Sequence, residues 1–296
     1  MGRASADLQT LHALEAAELG LPQGLRIEWL GVSGYRLSYE GASLLIDPYL
    51  SRVGLRALLL RRAARPDTTM LDRYGTIDER VVGVLVGHTH FDHAVDAPAL
   101  AGRFGCEAYG SASLAHLMRL HGLGAQAVEV EPRRAYELGP FVVRFVPSRH
   151  SKLILGRRVP FDGEFTCDHL DGLWPGAYRC GQVWGIRIEV AGTSLYHQGS
   201  ADLDDDALGV EPVDVFLAGV AGRSVTPRYW QRVLGKLDPR VVVPTHYDDF
   251  FRPLGHELEF VRKVKLASVP DEVNAVTRSA AVCALPRIDL GGHKGG

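Results

Sequence analysis

Short apolar runs recur along the chain and alternate with stretches whose apolar residues return at helical spacing. The runs are rich in Val, Ile, Leu and aromatic residues and are bounded by turn-forming residues, so they predict strands. They fall at 26–30, 35–39, 43–47, 81–87, 105–109, 126–130, 141–146, 183–190, 193–197, 213–218 and 240–244. Helical spacing predicts helices over 8–19, 95–103, 111–121, 227–235 and 255–266. Pro98 falls in the first turn of one of these, where a missing N–H costs little. Thr226 and Pro227 read as the N-cap and first residue of another. Strands first paired by short turns, then alternating with helices, predict an α/β protein of two sheets with helices on their outer faces.

The apolar run Val81–Val86 leads into His88-Thr89-His90-Phe91-Asp92-His93, with three imidazoles and a carboxylate at the end of a buried strand. An extended segment turns alternate side chains the same way, so His88 and His90 can grip one cation together. Asp92 and His93, past the strand end, can turn toward a second. Mixed imidazole and carboxylate ligands suit zinc, and also manganese or iron, better than calcium or magnesium.

Other segments complete the pattern. Gly31–Tyr35 and Leu44–Pro48 read as paired opening strands ending in an Asp-Pro turn. His150 follows the strand-like run Phe141–Val146, and His246 ends the run Val241–Thr245. With these, the chain resembles the metallo-β-lactamase-fold hydrolases over roughly residues 26–252. Within them it looks most like the branch with ascorbate-phosphate lactonase-like and N-acylethanolamine phospholipase D-like members. The resemblance implies a four-layer αββα sandwich. It assigns His88, His90 and His150 to metal 1, and Asp92, His93 and His246 to metal 2. It implies that Asp92 also passes a proton to the leaving group, and that Asp47 orients a ligand histidine. One departure stands out. Where the family usually places an Asp bridging both metals, the turn here reads Gly199-Ser200-Ala201-Asp202, with Ser200 in that slot and Asp202 two residues beyond. A serine hydroxyl is a poorer ligand and brings no charge, so one or two zinc ions are expected, with manganese or iron as alternatives.

Zinc lowers the ionisation of bound water from near 15.7 to near neutrality, giving a hydroxide nucleophile. The leading expectation is thus a metallo-hydrolase that cleaves an ester, lactone or phosphodiester bond. The alternatives are a metal-bound redox enzyme of the thiol dioxygenase kind and a degenerate metal-binding protein. His197, Tyr247 and Trp174 are weaker substrate-binding candidates.

Composition changes this picture little. The 296 residues fit an N-terminal helical extension (1–25), one domain (26–290) and a polar, Gly-rich tail (291–296) expected to be disordered. A formal net charge of −2 gives no global attraction to polyanions, so nucleic acid is not expected as a partner. The expected partner is a small molecule. No apolar stretch is long enough to span a bilayer and no secretory signal is visible, so stable membrane insertion is not expected and a cytoplasmic protein is. Cys106, Cys167, Cys180 and Cys283 form no CxxC pair and read as reduced thiols, Cys167 and Cys180 near His169 included.

Two segments exceed a minimal sandwich. Residues 51–80 include a basic, apolar stretch at Leu55–Arg65, read as a surface helix that either packs on the domain edge or touches anionic lipid. Residues 151–181 begin right after His150 and are rich in aromatic and aliphatic residues, as expected of a lid over the metals that accepts an apolar group. A homodimer contact is the alternative use of these residues.

Overall fold

The computed structural model describes residues 3–289. Among these residues thirteen strands form two sheets. The first takes β1 (Arg26–Gly31), β2 (Gly34–Tyr39), β3 (Ala42–Ile46), β4 (Arg80–Leu85), β5 (Ala108–Gly110) and β6 (Ala127–Glu129) in sequence order. Its first three strands pair antiparallel and the rest parallel. The second takes β7 (Ala135–Leu138), β8 (Phe141–Ser148), β9 (Val183–Val190), β10 (Thr193–Gln198), β11 (Val215–Gly219), β12 (Val241–Thr245) and β13 (Ala281–Val282), again in order. It also begins antiparallel and turns parallel from β10 onward.

Strand alternation separates the layers. Leu44 and Ile46 join Phe141, Phe145 and Ile186 in the core between the sheets, whereas Leu45 points the other way, into the cluster formed with Leu100 and Leu117. Those last two come from α5 (Ala97–Phe104) and α6 (Ala112–Leu120), which cover the first sheet. Pro98 sits in the first turn of α5 and Gly105 closes it in the left-handed region (φ 62°), as a helix C-terminus favours. The second sheet is covered by α7 (Tyr229–Leu237), whose Val233, Leu234 and Leu237 are buried. The fold is the expected mixed α/β arrangement of two sheets with outer helices.

The chain departs from the sequence-based expectation in several places. Helix α1 runs Arg3–Glu15, earlier than 8–19, and it docks on the domain: Leu11 and Leu14 join the main core, and Asp7 accepts the Ala267 N–H at 2.8 Å. The stretch Leu55–Arg65 forms only a five-residue helix, α2 (Leu55–Leu59), followed by α3 (Thr68–Tyr74), capped by the Asp67 side chain. Helix α7 begins after Arg228, so Thr226 is not its N-cap; the Thr226 hydroxyl instead donates to Gly222 O at 3.4 Å. No helix covers 255–266, and a short α8 follows at Val269–Asn274. The tail 291–296 lies outside the described residues.

Candidate metal centre

Each candidate ligand stands just beyond a strand end. β4 delivers His88 and His90 and then the one-turn helix α4 (Phe91–Ala94), which carries Asp92 and His93. β8 delivers His150 and β12 delivers His246. His246 sits in the left-handed region (φ 61°), and its N–H is held by Val32 O at 2.9 Å, which ties that turn to the β1–β2 hairpin.

The six side chains fall into two sets: His88, His90 and His150, and Asp92, His93 and His246. Within each set the candidate ligand atoms lie within 4.8 Å of one another. The rings of His88 and His93 approach to 3.9 Å between centroids, which makes the two sets neighbours. Hydrogen bonds fix which nitrogen is left free on the rings of His90, His150 and His93. His90 uses Nε2 on Pro160 O (2.8 Å) and His150 uses Nδ1 on Ser151 O (2.7 Å), freeing Nδ1 of the first and Nε2 of the second. His93 uses Nδ1 on Asp47 Oδ2 (2.8 Å), while His246 Nε2 lies 3.2 Å from Asp92 Oδ2. His88 Nε2 is buried without a protein partner. Buried polar atoms are normally satisfied, so an orphan nitrogen facing two other imidazoles fits a metal ligand.

The electrostatics agree. Burial, then the neighbouring imidazoles, keeps His88 neutral well below the usual histidine range. Burial likewise brings His90 down to about 4 and His150 down to about 3. Burial alone would raise Asp92, but His93 and His246 outweigh it and hold the carboxyl below its ordinary range. His93 moves the other way, because Asp47 and Asp92 overcome the cost of burying its charge. Neutral imidazoles and an ionised carboxylate are the forms that bind metal.

Asp47 is fully buried in a left-handed conformation (φ 41°) and also accepts the Gly87 N–H at 2.6 Å. Gly199 leaves it room: a Cβ there would lie 2.9 Å from Asp47 Oδ2 and 3.0 Å from a His93 ring carbon. Ser200 is buried near the ligands, but its Oγ accepts the Ser151 N–H at 3.1 Å and lies 3.2 Å from Ser151 Oγ. Asp202 does not swing in; it pairs with Arg232 at 3.0 Å. Neither residue therefore bridges the two sets in this geometry.

The substrate-binding candidates His197, Tyr247 and Trp174 lie off the opening. His197 is fully buried against Ser33 O (3.0 Å), Tyr247 packs between Trp29 and Phe260, and Trp174 meets Phe161 and Arg61. The opening is instead a pocket of about 400 Å³ with His90, Asp92, His150 and His246 in its wall. Phe91, Phe161, Phe250, Phe251 and Val225 supply apolar surface, and Arg262 and Lys263 line it as well. The expected lid contributes Leu153, Pro160 and Phe161, while its Phe165, Leu173 and Tyr178 are buried in the core on the outer side of the first sheet. Sequence reasoning missed Phe250 and Phe251. Their signal was position, in the loop that directly follows a ligand histidine. Among the described residues, Cys167 and Cys180 join no metal-ligand cluster, and all four cysteines are free.

Comparison with known proteins gives a consistent picture. The family profile described as Beta-lactamase superfamily domain matches residues 26–246. A UPF0173 metal-dependent hydrolase of Carboxydothermus hydrogenoformans is 25% identical over 228 residues, covering 76% of this chain and 85% of that protein. Among solved structures, Igni18, a metallo hydrolase from Ignicoccus hospitalis, aligns with a TM-score of 0.51 at 18% identity, over 89% of this chain and 95% of that one. CmlA, a diiron beta-hydroxylase from Streptomyces venezuelae, aligns with a TM-score of 0.58 at 14% identity, over 90% of this chain and 53% of that one. These two structural likenesses are likenesses of fold.

Proposed function

The chain belongs to the beta-lactamase superfamily and is a metal-dependent hydrolase of the metallo-β-lactamase fold, and on that premise we propose that it cleaves an ester, lactone or phosphodiester bond in a small molecule with an apolar portion. The observation that carries this reading is the pocket itself. Aromatic side chains wall a cavity of about 400 Å³ whose inner surface includes His90, Asp92, His150 and His246. A substrate seated by its apolar part would place its polar bond against the ligand sets.

His88, His90 and His150 would hold one divalent cation, and Asp92, His93 and His246 a second, with zinc the best match to the donors. Such a cation, when bound, acidifies water to near neutrality and so supplies hydroxide. The residues do the rest. Asp47 fixes the tautomer of His93 by accepting its Nδ1–H, which presents Nε2 to the centre. Asp92 stays anionic at neutral pH and lies in the pocket wall, placed to take a proton from the attacking water and pass it to the departing oxygen. Phe91, Phe250 and Phe251 exclude water beside the reacting bond and orient the substrate.

The test is a substrate screen on zinc-reconstituted protein: aryl esters of rising acyl length, acyl lactones and aryl phosphodiesters, with His90→Ala as the control. Turnover by the native protein that rises with acyl length and vanishes in His90→Ala is expected. Hydrolysis of none of the three classes, or activity that survives His90→Ala, overturns the reading.

A further inference from the structure

Four chain segments meet at the mouth of the metal pocket: 54–65, 152–161, 224–228 and 261–265. Each supplies part of its wall, through Leu58, Leu153 and Phe161, Val225, and Val264 respectively. The second packs against the approach to the third, since a Cβ built on Gly222, just before it, would lie 2.8 Å from Leu153. Large apolar side chains exposed to solvent are concentrated on these segments. Of the ten among the described residues, seven lie there, including Leu59 at 70% and Leu155 at 90% exposure. Apolar exposure gathered around one opening marks a contact surface, whereas single scattered leucines need no explanation.

Charge narrows what that surface contacts. None of the four segments contains an Asp or Glu, although the whole chain carries a formal net charge of −2. Their exposed cations include Arg56, Arg62, Lys152, Arg157, Arg262 and Lys263. A second copy docking by the same face would set cations against cations, which disfavours a symmetric dimer there. A nucleic acid would use the cations but would gain nothing from exposed Leu59, Leu60, Ile154 and Leu155, which offer no stacking surface. Basic residues interleaved with protruding leucines match the interface of an anionic bilayer, where aliphatic side chains enter the acyl boundary and cations meet the headgroups. Among the described residues no helix is long and apolar enough to cross a membrane, so the contact is peripheral.

We propose that the rim of the metal pocket is a docking face for anionic lipid bilayers, which places the mouth at the membrane surface so that an acyl-bearing substrate enters from the lipid. The substrate clause rests on the hydrolase reading above; the docking clause stands without it.

The experiment is flotation of zinc-loaded, full-length protein with phosphatidylcholine vesicles, with and without phosphatidylglycerol. The protein is expected to float with the anionic vesicles, to stay behind with the zwitterionic ones, and to be released by high salt. Leu59→Glu combined with Leu155→Glu is expected to lower partitioning at least about tenfold. The unfolding midpoint and the hydrolysis of a soluble short-chain ester should be unchanged, because neither side chain lines the pocket. Val210→Glu, an exposed apolar position on none of the four segments, should bind as the native protein does. Absence of flotation with anionic vesicles overturns the proposal, as does binding that the paired glutamates leave intact. Sedimentation that shows a native dimer split by those glutamates, without vesicle binding, would assign the face to self-association instead. Flotation is read without turnover. Vesicle binding together with a failed substrate screen would therefore sink the hydrolase reading alone, and the reverse result would sink the docking alone.

Discussion

Oδ2 of Asp47 lies 2.8 Å from Nδ1 of His93, joining the end of β3 to the helix that follows β4. The same carboxylate holds the Gly87 N–H through Oδ1, so one side chain fixes both the entry to the histidine motif and its last member. Asp47→Ala should therefore let the His93 ring rotate while His88, His90 and His150 keep their positions. The expected outcome is a loss of about 10–100-fold in affinity at the set containing His93, with the other set retained. Elemental analysis after graded dialysis against a chelator checks it, and a loss of both ions in parallel would refute the assignment.

Ser200 is buried beside the ligands but spends its hydroxyl on Ser151. No carboxylate other than Asp92 belongs to either ligand set, so two divalent cations would sit with little compensating charge. Ser200→Asp should tighten the weaker ion by placing an anion beside both sets. Chelator titration of the variant should show two ions released together; an unchanged titration would mean that the aspartate does not reach them.

The site was legible where its residues are sequence neighbours or where strand periodicity fixes their place. His88, His90, Asp92 and His93 lie within six residues, and His150 and His246 each stand past an apolar run that proves to be a strand. Phe161 lies in the expected lid, but the rest of the pocket wall was not legible, because Phe91, Val225, Phe250 and Phe251 come from separate segments that converge only in the folded sandwich. The apparent helix over 255–266 shows a second limit. Leu258, Val261 and Val264 recur at helical spacing, yet the segment folds back along the His246 loop. Asp249 N reaches Glu259 O at 2.7 Å and Val261 N reaches Tyr247 O at 2.8 Å, so tertiary pairing displaced the local pattern. Strand β7 was missed because its four residues mix Tyr136 and Leu138 with a charged neighbour and are too short to show a period.

Acid should destabilise the metal-free protein. His90 and His150 titrate near about 4 and about 3 in the folded chain, His88 also lies far below its ordinary value, and all three return to near 6.5 on unfolding. Below about pH 6.5 the unfolded chain binds more protons, so their contribution is complete above that pH and is lost as pH falls toward the folded values. His93, raised by Asp47 and Asp92, opposes this with stability that is present at low pH and lost on raising it. Asp96, raised by burial to about 6, also opposes the loss in the same window, but the three lowered histidines outweigh both, so the unfolding midpoint of the chelated protein should fall between about pH 6.5 and about pH 4. Thermal scans across that window would show it, and a flat profile would contradict the buried, neutral histidine cluster.

The turn carrying His246 is braced from below by a buried ion pair. Arg52 and Asp248 meet at 3.0 Å with no exposed side-chain surface, and Asp248 Oδ1 accepts the Val32 N–H at 2.9 Å. Val32 is held in the left-handed region (φ 52°), costly for a β-branched residue, and its carbonyl accepts the His246 N–H. Asp248→Ala removes the anion and leaves the Arg52 guanidinium buried with only part of its hydrogen bonding, a loss of about 3–5 kcal/mol. Denaturant unfolding should register that loss, and the variant that still folds should bind metal more weakly at the set containing His246.

Phe250 and Phe251 place the substrate reading under the most direct strain. Their ring centroids lie 4.4 Å apart, each is 6.1 Å from Phe91, and Phe250 stands 5.7 Å from the His246 ring. The three phenyl groups thus form a wall that begins at a candidate ligand and runs outward along the pocket. Truncating Phe251 to Ala withdraws a ring from any chain lying against it without touching a ligand atom. Losing the burial of such a group costs binding about 1.5–3 kcal/mol, which corresponds to roughly 10–150-fold in kcat/KM. A short-chain ester that does not reach the ring should lose little. The expected signature of Phe251→Ala is therefore a selective fall in kcat/KM for long acyl chains, carried by KM, with metal content unchanged. Equal losses for short and long substrates would mean that the wall shapes the metal centre and does not bind the acyl chain. A pocket that selected for charge instead would show its largest change in Arg262→Ala, whose side chain lines the same cavity.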